Sequence, residues 1–206
     1  MEILAKLFGG QAKVKIMRLF LLNNDTDFDM ADIVSRSRVA KSTARKEVNS
    51  LASVGFIKHK NIIREGSRGG KKKVSTWHLN TSFQYLPPIQ DLLINPSILL
   101  RDDLAYKFKA VGKMKLLIVS GVFIGEPESR VDIMLVADRL NKTALKQLIK
   151  NLEVEIGKEL DYVVFDTNEF KYRLDMYDKL VRDVIDLPHK KIFDNGQLST
   201  YISKKV

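Results

Sequence analysis

The chain has no cysteine, three widely separated histidines (His59, His78, His189) and no long apolar run. Without cysteine there are no disulfides, thiolate metal sites or cysteine nucleophiles. Three scattered histidines also argue against a histidine-based zinc site. The longest nearly apolar stretch, Leu116–Ile124, falls well short of the roughly 18 residues that read as a membrane span. Met1–Gly10 is too short, and flanked wrongly, for a secretory signal. The expectation is a soluble cytoplasmic protein with no membrane partner and no cofactor. At about 100–200 residues per domain, a length of 206 residues allows one large domain or two small ones. A hydrophobic share of 45% argues against global disorder.

What the chain does have is positive charge, and it is concentrated. The whole sequence carries 35 Lys+Arg against 25 Asp+Glu, a net charge of +10. Residues 1–80 hold 16 basic and 7 acidic side chains, and the remaining residues hold 19 and 18. Within Arg36–Lys73 there are 12 basic residues and only two acidic ones, Glu47 and Glu65. A basic surplus confined to one segment is the electrostatic footprint of a nucleic-acid surface, whereas a scattered surplus would read as a solvated face.

The pattern inside that segment is specific. Gln11–Leu22 reads as a helix with Val14, Met17 and Leu21 on a broad apolar face, closed by Asn23-Asn24-Asp25. Asp29 reads as the N-cap of a short helix over Met30–Ser35, with Asp32 near its positive end. Ser37-Arg38-Val39 is a tight turn. A second helix runs over Lys41–Ser53, with Ala44, Val48 and Leu51 on one narrow face and Gly55 as the stop. Its other face carries Lys41, Ser42, Thr43, Arg45, Lys46 and Asn49. Two short helices, a tight turn and a second helix with a polar, basic outer face describe a helix-turn-helix. The second helix must enter a groove about 12 Å wide, so its exposed side chains need hydrogen-bonding ends. Arg45 suits guanine, Asn49 adenine and Lys46 a phosphate. Strands over Phe56–Ile63 and Val74–Leu79 follow. Between them, Arg64, Arg68, Lys71, Lys72 and Lys73 sit among glycines in what reads as a flexible cationic hairpin tip.

The stretch Leu4–Asn80, through "KVKIMRLFLLN", "MADIVSRSRVAKSTARKEVNSLASVGFIKH" and "STWHLN", resembles the winged-helix transcriptional regulators of bacteria and archaea. The resemblance implies a recognition helix at about residues 41–53 in the major groove. It also implies a basic wing at residues 64–73 on the backbone or in the minor groove of double-stranded DNA. Winged helices also serve as protein-interaction modules, and that alternative stays open.

After Asn80, a Pro87-Pro88 pair and Pro96 forbid one continuous helix, so short helical pieces are expected, then a helix over Asp102–Val111. Their apolar residues suit dimerisation or packing on a second domain equally well. Beyond them the order reads strand (Lys115–Ile124), strand (Val131–Val136), helix (Lys142–Ile156), strand (Tyr162–Phe165) and long helix (Asn168–Leu187). This order, with "VSGVFIGEPESRVDIMLV" and "ELDYVV", resembles the small nucleotidyltransferases of the DNA polymerase beta superfamily. The resemblance implies a Gly-Ser phosphate cradle and three metal-binding carboxylates, because magnesium takes carboxylate and phosphate oxygens. Here Ser120-Gly121-Val122 replaces Gly-Ser. Asp132 matches the second carboxylate, Asp161 the third, and Arg130 falls where the first belongs. Glu126 or Glu128 is left as a substitute ligand from the turn.

The expected fold class is therefore α+β: a winged helix-turn-helix over 1–80, a linker and helical connection over 81–112, and a small α/β nucleotidyltransferase-like domain with a mixed sheet over 113–206. The expected function is a sequence-specific, homodimeric DNA-binding transcriptional regulator. In it the second domain, without catalysis or metal, senses a ligand, binds a partner or dimerises. Asp132 and Asp161 are vestigial candidates, and Arg130 is a candidate contact for a nucleotide or other anion. The alternative is an active nucleotidyltransferase that modifies a protein or nucleic acid and is targeted by the winged helix.

Overall fold

A computed structural model describes residues 2–65, 71–94, 104–126 and 129–203, with the side chains of Glu2, Glu65 and Lys72 excepted. The chain is a mixed α and β protein, with two sheets among the described residues. It divides into two compact units, Met1–Ile94 with Leu152–Lys158, and Asn95–Asn151 with Glu159–Val206.

The first unit runs α1 (Glu2–Leu7), α2 (Gln11–Leu21), β1 (Phe28–Asp29), α3 (Met30–Ser37), α4 (Lys41–Ser53), β2 (Ile57–Glu65), β3 (Lys71–Leu79) and α5 (Leu86–Ile94). Its core helix is α2, which touches α1, α3, α4, α5 and β3. Val14, Ile16, Met17, Leu19, Phe20 and Leu21 on α2 are all buried. So is Arg18, whose guanidinium donates to the Leu93 and Glu155 carbonyls at 2.9 and 3.0 Å, two helix C-terminal oxygens that favour a cation. The three-stranded sheet has the order β1-β3-β2, antiparallel throughout.

Several bounds differ from the sequence reading, each for a local reason. The hairpin ladder continues to the pair Glu65↔Lys71, so Arg64, Lys71, Lys72 and Lys73 lie in paired strands and not in a flexible tip. β1 was not foreseen; it is two residues long and ends where α3 begins. The Pro87-Pro88 pair falls in the first turn of α5, where a missing backbone N–H leaves no helical bond unmade.

The second unit runs α6 (Leu104–Lys109), β4 (Lys113–Val119), a 3₁₀ turn (Gly121–Phe123), β5 (Ile133–Asp138), α7 (Lys142–Ile156, whose last turn belongs to the first unit), β6 (Tyr162–Phe165), α8 (Thr167–Asp175), α9 (Lys179–Asp186), β7 (Lys190–Asp194) and α10 (Gln197–Ile202). Its sheet is mixed, in the order β6-β5-β4-β7, with β5 and β6 parallel and the other pairs antiparallel. Leu116, Ile118, Met134 and Val136 from the sheet bury against Phe170, Leu174, Val181, Val184 and Leu198.

Here the expected first strand stops at Val119, because Gly121 turns the chain with φ 54° into the 3₁₀ turn. The single long helix expected over 168–187 is two helices. Tyr177 takes φ 55°, and the Asp178 side chain accepts from the Leu180 and Val181 N–H groups, so α9 starts afresh with its own cap. β7 and α10, which complete the sheet edge and cover it, had no counterpart in the sequence reading.

Candidate nucleic-acid interface

The first unit brings most of the sequence-nominated polar residues onto one helix. Ala44, Val48 and Leu51 anchor α4 and are buried. That 4,3 spacing turns Lys41, Ser42, Arg45, Lys46 and Asn49 outward, exposed, with Thr43 half-buried beside them. Glu47, the only acid on α4, is drawn aside by Lys13 at 3.3 Å. Among the described residues Lys41, Arg45 and Lys46 have no acidic partner within ion-pair distance. Ala40, at the N-cap, offers no side-chain bond to the first turn of α4. The first backbone N–H groups therefore add partial positive charge at the end where Lys41 and Ser42 stand.

The segment before α4 is braced from within. Asp29 Oδ1 accepts from the Ala31 and Asp32 N–H groups at 2.8 and 2.9 Å, and Asp32 Oδ2 accepts from the Asp29 N–H at 3.1 Å. This reciprocal capping box starts α3. In the turn, the Ser37 hydroxyl donates to the Ile33 carbonyl at 2.6 Å and accepts from the Val39 N–H at 3.4 Å. An open hollow of about 520 Å³ lies between α3, Lys41 at the start of α4, and Val74-Ser75 of β3.

The hairpin residues divide into two groups. Arg64 donates to Asp29 at 2.8 Å and to Asp32 at 3.3 Å, so its guanidinium ties β2 to the start of α3. Lys60 is held by Asp27 at 3.0 Å in the same way. Lys71 and Lys73 are exposed and have no acidic partner among the described residues. Lys72 is placed by register opposite Arg64. Arg68 lies outside the described residues. Sequence reasoning missed the Arg64 clamp, although the acidic run Asp27, Asp29, Asp32 was its visible half.

The second unit uses its nominated residues differently. Asp132 is buried. Its Oδ1 accepts from the Val122 N–H at 2.8 Å and its Oδ2 from the Asp161 N–H at 3.0 Å. A Cβ on Gly121 would stand 2.1 Å from that Oδ1, so glycine is what lets the 3₁₀ turn close over the carboxylate. Asp161 takes part through its backbone, its carbonyl accepting from the Asp132 and Ile133 N–H groups at 2.7 and 3.2 Å, while its side chain is exposed. Arg130 donates to Asp183 on α9 at 3.0 Å, so a carboxylate already matches its charge. Glu126 is exposed on the turn, and Glu128 lies outside the described residues. Among the described residues no three His, Cys, Asp or Glu side chains gather as metal ligands would. None of the described helices is long and apolar enough to cross a membrane.

Elsewhere in this unit Asp138 and Asp178 are among the carboxyls held below their ordinary values. Asp138 is held down first by the Thr167 N–H, then by the Thr167 hydroxyl and the Lys115 and Lys113 charges, against an opposing push from burial. Asp178 is held down first by the Val181 N–H, with Arg173 and the Leu180 N–H adding to it, also against burial.

No family model, no curated protein and no solved structure matches this chain.

Proposed function

We propose that the chain is a sequence-specific transcriptional regulator that binds double-stranded DNA through a winged helix-turn-helix in its first unit. In this reading α3, the Ser37–Ala40 turn and α4 form the helix-turn-helix, and β2–β3 is the wing. α4 enters the major groove with Arg45 and Asn49 toward base edges, while Lys41, Lys46, Lys71 and Lys73 meet phosphates. Arg64 is reassigned from DNA contact to holding the wing against α3. The observation that carries the reading is the outward face of α4, where three cations have no carboxylate partner among the described residues and the one acid is neutralised by Lys13. A solvated face kept for solubility would mix both signs.

The protein acts as a homodimer on paired half-sites in the cytoplasm, and the second unit is a nucleotidyltransferase-like domain that senses a ligand, binds a partner or dimerises without catalysis. The occupied Asp132 oxygens and the Arg130–Asp183 pair support the non-catalytic role. The test is fluorescence anisotropy of the full chain on labelled duplex DNA over a range of salt. Affinity is expected to fall by about 0.9 log units per log unit of salt for each phosphate contact. Genome-wide binding would then give the operator. Absence of salt-dependent binding to any duplex overturns the reading and leaves the first unit as a protein-interaction module.

A further inference from the structure

A hollow of about 520 Å³ opens within the first unit, between α3, the start of α4 and β3. That volume lies in the range of small-molecule sites. Short side chains make the room: Ala31 and Ser35 stand one turn apart on α3, and Ser75 on β3 lines the hollow with them. Met30, Val34 and Val74 add half-buried apolar surface. The walls are fixed by bonds already formed. The capping box of Asp29 and Asp32 sets the first turn of α3, and Arg64 ties that turn to β2, the strand paired with β3. Two charged side chains line the hollow, and they differ. Asp29 is matched, its carboxylate accepting from the Ala31 and Asp32 N–H groups and from Arg64 at 2.8 Å. Lys41 is exposed and has no acidic partner among the described residues. The hollow is thus apolar, with one unbalanced positive charge in its wall.

We propose that this hollow binds a small amphipathic anion, an apolar ring or chain bearing one carboxylate, sulfonate or similar group. The apolar part leaves water against Met30, Val34 and Val74, and Lys41 supplies the counter-charge through a charge-assisted bond to the anionic oxygen. A bare inorganic anion does not suit this chemistry, because apolar walls give its hydration shell nothing in exchange. A neutral apolar molecule leaves the lysine unused. Because the walls are braced before the ligand arrives, little ordering opposes binding. The site stands on this geometry alone. Its consequence rests on the DNA-binding reading, in which Lys41 meets a phosphate: an anion held in the hollow then competes with DNA for the same ammonium.

The test is fluorescence titration of the full chain with anilinonaphthalene sulfonate, an aromatic anion, and with N-phenylnaphthylamine, its uncharged counterpart. Lys41→Met keeps an unbranched side chain and removes the charge. It is expected to weaken sulfonate binding by about three- to fivefold, the scale of a partly exposed ion pair, and to leave the uncharged probe unchanged. Lys146→Met removes an exposed charge in the second unit and changes neither probe. Ala31→Phe fills the hollow from an exposed position of α3 and is expected to weaken both probes by about tenfold or more. Should Ala31→Phe unfold, Ser75→Phe fills the same hollow from β3. Sulfonate affinity unchanged by Lys41→Met, or an equal loss of both probes in that variant, overturns the proposal. So do folded phenylalanine variants that bind both probes as the wild type does. On a labelled duplex, saturating sulfonate should weaken wild-type binding and leave Lys41→Met binding as it was. Duplex binding that ignores the sulfonate overturns the competition. A wild-type chain that binds no duplex overturns the DNA reading itself, while the probe titrations still decide the site.

Discussion

At the scale of single residues, one carboxylate can be read two ways from sequence, and its hydrogen bonds show what it holds together in the folded chain. The sequence resemblance would make Asp132 a magnesium ligand; in the structure its two oxygens accept the Val122 and Asp161 N–H groups from two different loops. Those bonds brace the 3₁₀ turn and the segment before β6 from one buried carboxylate. Asp132→Asn keeps one acceptor oxygen and turns an amide NH₂ toward the other N–H, leaving a buried donor unsatisfied. That is expected to cost about 1–3 kcal/mol, read as a lower urea midpoint. Gly121→Ala belongs to the same unit of structure. Its Cβ would collide with Asp132 Oδ1, so its loss of stability should overlap with that of Asp132→Asn instead of adding to it. An Asp132→Asn protein as stable as the wild type would remove the bracing role.

At the scale of elements, the helices with strong periodicity were legible and the short, tertiary-determined pieces were not. α4 and α7 have the bounds their apolar spacing gives, 41–53 and 142–156, because one buried stripe and a following glycine define each. β1 escaped notice because two residues carry no alternation, and its pairing to Trp77 and Thr76 is a long-range event. The break between α8 and α9 escaped because Tyr177 gives no sign of positive φ, although Asp178 was available as a cap. The outward face of α4 followed from periodicity alone. The diversion of Arg64 did not, since ion pairing over some thirty residues leaves no local trace.

Two predictions belong to this scale. Arg64→Ala should lower stability by roughly half a kcal/mol, as partly exposed pairs do, and leave the salt slope of DNA binding unchanged. The Lys71→Glu, Lys73→Glu double variant should do the reverse, lowering the slope by about 1.8 at two phosphates. A slope that falls for Arg64→Ala returns that residue to the DNA surface. The second concerns the α9 cap. Because the folded carboxyl of Asp178 is held below its ordinary value of about 3.9, its stabilisation is whole above roughly pH 4 and is lost as pH falls through the lowered folded value. Asp178→Ala should cost about 1 kcal/mol at neutral pH, and the gap to wild type in denaturant unfolding should narrow as pH falls below about 4. A gap that persists undiminished in acid would show that the cap does not depend on charge.

At the scale of the whole molecule, the net charge of +10 belongs to one segment, since residues 81–206 nearly balance. Local pairing narrows it further. Lys13, Lys60 and Arg64 each spend their charge on a nearby carboxylate, while Lys41, Arg45 and Lys46 on α4 and Lys71 and Lys73 on the hairpin have no acidic partner among the described residues. On the proposed DNA-binding reading, a global count would assign affinity to any of the 35 basic residues, whereas the distribution would assign it to a handful. Charge reversal at matched sites tests the difference. Lys146 and Lys150 are exposed on α7 within the second unit, like Lys41 and Lys46 on α4. Lys146→Glu with Lys150→Glu changes the net charge as much as Lys41→Glu with Lys46→Glu does. If affinity followed net charge, the two pairs would weaken duplex binding alike, and both effects would fade together as the Debye length falls below about 10 Å above 0.1 M salt. If it follows contacts, the α7 pair leaves the slope of log affinity against log salt in place, while the α4 pair lowers it by about 1.8. The second pattern is the one expected, and equal slopes for the two pairs would return the basic surplus to a property of the chain as a whole.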